Sequence, residues 1–406
     1  MPTIDQRSRR RFLATFGTCV GGALAGCVGS SNPSSNNSSA SSNVQSDWPT
    51  VGHDQANSRY SPTGTAPIEK PTITWRLPIE TPVRQPVFAN DRVYMADRTV
   101  LRVHDVATGD ELWTYSSATS DAQMITAPTV RDGVVYLGIT NGPQSIVALD
   151  AETGEQLWTF GGKEIGGVSG TPTLDTSGNR LYLGTKAAQI FALDAKTGES
   201  HWQQDVFGPV TNTLAVRSPF IIATTRSGEV YSFGEDGKGL WRTKLPEGCD
   251  SPPALSNRWV FVGCNNEYVY GLHPVSGRIK WETYVDRLYQ GGFVATTSTV
   301  YVTSSRGVVA LGGRKGSTQW STKLGDFVSC APTIIDETLY VGGPRIFALA
   351  SSGGVGISSV RFGTKRWTAD VGRHVGPGMA VGNGRIFAPV QADDGTFELI
   401  ALKQYN

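Results

Sequence analysis

The chain is poor in the residues that most enzymes gather at a site. Only 17% of its 406 residues are charged, and it has five histidines and five cysteines. It contains no Gly-x-Ser-x-Gly, no His-Glu-x-x-His, no Cys-x-x-Cys and no glycine-rich loop leading into a helix. Those gaps exclude the familiar motif-borne nucleophile, zinc and phosphate chemistries. Neither sign of charge is in excess, with 36 basic against 35 acidic residues, so no long-range pull toward nucleic acid is expected. No stretch of twelve or more residues beyond the amino terminus carries a 3.6-residue apolar period, which excludes a helical core.

What is present is repetition. The segment SIVALDAETGEQLWTF, residues 145–160, returns as RVHDVATGDELWTY (102–115) and IFALDAKTGESHWQQ (190–204). Weaker copies are VYSFGEDGKGLWRT, VYGLHPVSGRIKWET and VVALGGRKGSTQWST. Eight of the ten tryptophans hold the same place in this pattern: Trp75, Trp113, Trp158, Trp202, Trp241, Trp281, Trp320 and Trp367. Their spacings of 38, 45, 44, 39, 40, 39 and 47 residues identify an array of units near forty residues long. Each unit divides into four short β-prone runs separated by turn residues such as Asp132-Gly133 and Thr153-Gly154.

Four-stranded units of this length predict an all-β fold, an eight-bladed β-propeller of antiparallel blades. Trp75 stands ahead of the first full unit, and the last unit stops without a tryptophan strand. The strand around Trp75 is therefore expected to complete the last blade and close the ring, removing two unpaired edges. Each indole should cover the neighbouring sheet and donate its N–H to a carbonyl across the gap. In the Asp-x-x-Thr-Gly turns, Asp105, Asp150 and Asp194 with Thr108, Thr153 and Thr197 are expected to bond backbone N–H groups, while Gly109, Gly154 and Gly198 adopt positive φ. Each turn offers too few oxygens for calcium.

The unit resembles the repeat of the pyrroloquinoline-quinone (PQQ) enzymes and of BamB-type assembly lipoproteins, both eight-bladed propellers. The likeness covers residues 73–403, and DWPTVGHDQANSRYSP (47–62) resembles the lead-in that those families place before the first blade. The likeness speaks for the fold more than for chemistry, since one propeller hosts many activities.

Residues 1–27 are of another kind. Ser8-Arg9-Arg10-Arg11-Phe12-Leu13 resembles a twin-arginine export signal, and its apolar run is too short to span a bilayer. Leu24-Ala25-Gly26-Cys27 resembles a lipobox, which implies cleavage before Cys27 and attachment of lipid there. A plain cleaved signal with an incidental cysteine is the alternative. Residues 28–46, rich in serine and asparagine, read as a disordered tether, and residues 47–406 as one propeller domain. The expected location is the outer face of the cytoplasmic membrane, lipid-anchored and reached by the twin-arginine route. Removing residues 1–27 takes away four arginines and one aspartate, leaving a net charge of −2.

Cys249 and Cys264 flank a hairpin turn near Ser256-Asn257-Arg258, an arrangement that suits either a cross-strand disulfide or two buried thiols. The starts of the inner strands place Arg84, Gln85, Gln123, Asn212, Asp250, Gln290, Ser329 and His374 around the channel mouth as candidate binding residues. Resemblance to the quinone dehydrogenases implies PQQ with calcium, stacked between a tryptophan and a disulfide of adjacent cysteines and surrounded by Glu, Asn and Asp. This chain has no Cys-Cys pair, and Asp250 and His374 are its only weak candidates for a base. His53, His104, His201 and His273 fall at lead-in, turn or outer-strand positions and read as surface or capping groups.

The expectation is a monomeric scaffold that binds a protein partner or ligand through its ring-face loops and channel mouth. It is expected to need no metal and no nucleic acid. The alternative is a divergent PQQ-dependent dehydrogenase of alcohols or sugars. The insertion ASSGGVGISSVRFGTKR, between Trp320 and Trp367, is a candidate contact loop.

Overall fold

The computed structural model describes residues 47–404, apart from positions 118, 120, 121, 125, 290, 326, 327, 329, 358, 359 and 363. Arg9, Arg10, Cys27, Gln290 and Ser329 lie outside the described residues. Eight four-stranded antiparallel sheets stand in a ring, as the repeats predict. Among the described residues the only helix is a single 3-10 turn, Lys163–Ile165, and none is long and apolar enough to cross a membrane.

Blade 1 comprises Val87–Ala89, Arg92–Ala96, Val100–Asp105 and Glu111–Ser116, running from the axis outward. Blades 2 to 7 repeat that order. The inner three strands are sandwiched between neighbouring sheets and are apolar on both faces, as in Val260–Gly263, which is buried throughout. The outer strand alternates, as in Gly239–Lys244, because one of its faces meets water.

Every tryptophan strand carries the same irregularity. The register slips by one residue just before the indole, so that Leu157 is left over while Trp158 pairs with Ala148. This bulge turns the indole onto the face of the next blade and leaves the preceding residue outside. That position accounts for the exposure of Leu112, Leu157 and Leu240. The residue opposite the indole is small in seven blades (Ala148, Ala192, Ser232, Gly271, Ala310, Ala348 and Ala401) and is Val103 in the other.

Each indole then meets the turn before the outer strand of the following blade. Trp113 donates to Ala151 O at 3.2 Å and Trp158 to Ala195 O at 3.1 Å, and seven of the eight make such a bond. Trp320, the eighth, lies against Gly353. The turns are built as expected: Asp150 Oδ1 accepts from the N–H groups of Glu152 and Thr153 at 2.9 and 2.8 Å. Those contacts hold Asp105, Asp150 and Asp194 below the usual carboxylate range, even though burial opposes the shift and outweighs any single bond at Asp194. Burying one indole contributes roughly 4 kcal/mol before ordering costs.

The last blade joins both ends of the propeller. Strand Thr72–Ile79 pairs with Phe397–Lys403, setting Trp75 opposite Ala401. No continuous turn connects these two strands, so other groups take its place. Trp367 donates to Pro67 O at 3.1 Å, and Tyr340 donates to the same carbonyl at 2.8 Å. Gln404 Oε1 accepts from the N–H groups of Ile68 and Glu69 at 2.8 and 3.1 Å, standing in for the turn aspartate.

Gly198 has φ +77°, and a Cβ there would lie 2.5 Å from Cε3 of Trp158; Gly133 has φ +79° with open space around it. Gly133→Ala should therefore cost about 1 kcal/mol for backbone strain alone. Gly198→Ala should cost at least about 1 kcal/mol more in equilibrium denaturation, because the indole must give way. Equal losses would mean that the turn and the indole are not a packed unit.

Candidate functional site

The ring leaves the innermost strand of each blade with an unpaired edge facing the axis, and buried N–H groups there need acceptors. The lead-in supplies them. Its carbonyls at Trp48, Pro49, Gln55, Ala56, Ser58 and Arg59 accept from Phe88, Val130, Val216, Leu255, Ala295 and Ile334, on the innermost strands of blades 1, 2, 4, 5, 6 and 7. A segment this short that touches six inner strands must cross the axis and close it. Tyr60–Ser61 completes the path by pairing in parallel with Thr333–Ile335.

Arg59 holds the closure together. Its side chain is buried, with Nε donating to Pro332 O at 2.7 Å, Nη1 to Val51 O at 2.7 Å and to Gln85 Oε1 at 3.0 Å, and Nη2 to Thr333 Oγ1 at 3.3 Å. No carboxylate contacts it among the described residues, and burial lowers its pKa to about 10, so it stays charged at neutral pH. Asn57 adds amide bonds to Leu214 O and Pro253 O, both at 3.1 Å. Sequence reading identified the lead-in but not this role. Its Asn, Ser and Arg suggest a solvated loop, yet here they bond buried backbone.

On the other face, where the inner strands begin, the axis is open. A cavity of about 200 Å³ has Val51 as its floor and Arg84, Gln85, Ser169, Asn212 and Asp250 in its wall. Arg84, Asn212 and Asp250 also border an adjoining recess of about 380 Å³ that includes Lys186 and Arg226. The predicted mouth residues thus divide. Arg84, Asn212 and Asp250 meet at the axis. Gln85 touches the cavity but is a buried tie, donating to Val51 O and Met379 O at 3.0 and 3.1 Å. Gln123, bridged to Thr140, lies outside this cavity and borders two neighbouring recesses.

His374 is not at the axis, contrary to expectation. The short strand His374–Val375 pairs with Gln391 and Val390, which carries the imidazole to an apolar crevice beside Ile79 and Phe397. Burial lowers its pKa. It therefore forms no pair with Asp250, whose oxygens are engaged by Arg226 Nε at 3.2 Å and Asn265 Nδ2 at 3.1 Å. Asn212 is also committed, donating to Cys249 O at 2.7 Å and Thr224 Oγ1 at 3.1 Å. Cys249 and Cys264 are disulfide-bonded beneath this wall, which resolves the two readings left open by the sequence.

The mouth does not fit PQQ with calcium. Calcium takes about six to eight oxygens, and among the described residues Asp250 is the one carboxylate in the wall. No group of three or more His, Cys, Asp or Glu able to hold a metal occurs among the described residues. Among the described residues no aromatic ring lines this cavity for stacking.

The profile of one protein family, outer membrane protein assembly factor BamB, matches residues 68–215 and 190–383. The chain belongs to this family. The BamB of Yersinia pestis is 28% identical over 242 residues, covering 52% of this chain and 60% of that protein. A quinohemoprotein alcohol dehydrogenase of Comamonas testosteroni is 24% identical over 374 residues, covering 82% of this chain and 48% of the enzyme. The chain thus spans less than two thirds of the length of either relative. The solved BamB of Moraxella catarrhalis superposes with a TM-score of 0.61 at 17% identity, covering 83% of this chain and 98% of that one. The crystal structure of the Comamonas enzyme gives 0.71 at 15% identity, covering 90% and 82%. At these identities both structures speak for the fold alone. BamB-family membership and dehydrogenase likeness leave the choice between the two to the residues at the mouth.

Arg59→Met should lower stability by about 3 kcal/mol or more, since it strands buried carbonyls and the Gln85 amide. Arg84→Met, at an exposed position at the mouth, should change it by less than about 0.5 kcal/mol. Chemical denaturation of the two variants checks the contrast, and similar small losses would refute a structural role for Arg59.

Proposed function

We propose that the protein is an exported, membrane-tethered propeller that acts as a scaffold, presenting its mouth face to a protein partner. The observation that carries this reading is the asymmetry of the ring. The lead-in seals one end of the axis, while the other offers a shallow, open mouth. In that mouth Asp250 is held by Arg226 and Asn265 and Asn212 by the Cys249 carbonyl, rather than poised around a reacting atom. Family membership supports the same reading, because the relatives carrying the matched name are assembly factors. Cys27 would carry the lipid, and residues 28–46 would let the ring range from the membrane by a few nanometres.

A photoreactive residue in place of the exposed Lys163, activated in native membranes, should capture one stoichiometric partner. Repeated capture of none would count decisively against a scaffold. Arg9→Lys with Arg10→Lys should hold the protein in the cytoplasm, and Cys27→Ser should release it from the membrane fraction; unchanged fractionation would dismiss the anchor.

A second reading is favoured by the Comamonas relative, whose match runs over 82% of this chain. It makes the protein a PQQ-dependent dehydrogenase with its site over the mouth. The protein supplied with PQQ and Ca²⁺ should show no saturable dye reduction on alcohols or sugars. Turnover abolished by Asp250→Asn would replace the scaffold reading with this one.

A further inference from the structure

We propose that the mouth face is a groove for an extended acidic protein segment carrying one apolar anchor residue. The inference rests on the scaffold reading and specifies the chemistry of its partner.

The recesses of this face form one continuous path. The crevice beside His374 shares Pro82, Val83 and Pro377 with the recess next to it. That recess shares Arg84 and Pro377 with the axial cavity, which in turn shares Asn212 and Asp250 with the recess holding Lys186. A linear ligand can therefore run from the edge of blade 8 across the axis to blade 4.

The charge along this path is one-sided. Among the described residues it holds three carboxylates, each paired with an arginine: Asp97 with Arg102, Asp250 with Arg226 and Glu398 with Arg76. Arg84, Arg98 and Lys186 have no carboxylate partner among the described residues. The whole chain carries only +1, so this local excess reflects segregation of charge rather than a basic protein. Unpaired cations in a concave surface focus a field that favours anions.

The blade 8 end differs in kind. Its crevice of about 240 Å³ is walled by Ile79, Val83, Pro389, Val390 and Phe397, with Glu398 held by Arg76 at its edge. It suits one large apolar side chain, with His374 and Gln391 as the other polar residues in its wall. A polynucleotide or a lipid headgroup would use the cations and leave the crevice empty; an acidic segment with a Phe, Leu or Trp uses both.

The test uses the full chain and labelled twelve-residue peptides, followed by fluorescence anisotropy at low ionic strength. The acidic peptide holds six Asp or Glu and one Phe near an end; its twins replace the acids by amides, or the Phe by Ala. The acidic peptide should bind at least about tenfold more tightly than the amide twin, with the advantage shrinking in high salt. Loss of the Phe should cost about tenfold. Arg84→Glu with Lys186→Glu, at an unchanged melting midpoint, should reverse the preference toward a Lys-substituted peptide.

Equal binding of acidic and amide peptides overturns the proposal. So does equally tight binding of a single-stranded oligonucleotide or of phosphatidylglycerol vesicles. If the peptides show no preference while position 163 still captures a partner, the acidic segment falls and the scaffold stands. Capture of nothing removes both.

Discussion

The contact between an indole and the turn of the next blade sets the geometry of the whole ring. It fixes two things at once, because the indole N–H donates in one direction only and, at seven of the eight rings, a glycine lies against the flat face. Gly154 illustrates this, since a Cβ there would lie 2.6 Å from the ring of Trp113. The bulge before each tryptophan is what aims the indole outward from its own sheet, and a small residue opposite gives it room. A fixed angle between neighbours, repeated eight times, leaves a ring as the outcome rather than an open stack.

Two problems follow from closing a ring, and the same short region near residues 47 to 70 answers both. At the rim, the blade assembled from distant parts of the sequence lacks a turn, so Pro67 and Gln404 provide the carbonyl and the acceptor that a turn would have provided. At the axis, eight inner edges would face one another across water, so the lead-in runs past them and accepts N–H groups from six of them. Arg59 is the knot in that crossing. A buried cation without a carboxylate is normally costly. Here four oxygens from the blades and the lead-in surround it, so the charge is dispersed over backbone and amide dipoles. Sealing one end is also what makes the two faces different, and a site can then form only at the other.

The fold was legible because its signals are periodic. Eight tryptophans, the alternation of outer strands and the misplaced strand at Trp75 are all linear patterns, and the pairing of Trp75 with Ala401 is their direct consequence. The site was legible only in part. Inner-strand starts pointed to Arg84, Asn212 and Asp250, which do meet. His374 failed because the strand it opens pairs with Gln391 before the true inner strand Ala380–Gly382 begins, a local insertion that no period reveals. Gln85 does sit at the mouth, yet its amide faces the lead-in below rather than a ligand above, so it ties the plug instead of binding. The plug itself was hidden for a physical reason. A segment that folds by giving its carbonyls to other strands needs no apolar pattern of its own.

That last point bears on why one architecture serves both catalysts and binding proteins. The indole contacts, bulges and turns involve the outer parts of the blades, and the plug involves the innermost edges at one end. Apart from Gln85, which ties the plug, these contacts do not use the side chains where inner strands begin on the open face. Those positions are free to vary without cost to the ring, so a chain can keep every structural contact while exchanging a metal-binding cluster for unpaired cations. The two oxygens of Asp250 are held by Arg226 and Asn265, whereas Arg84 and Lys186 beside it are exposed and have no carboxylate partner among the described residues. On the scaffold reading proposed above, these exposed cations are the groups that would hold an anion-bearing chain in place.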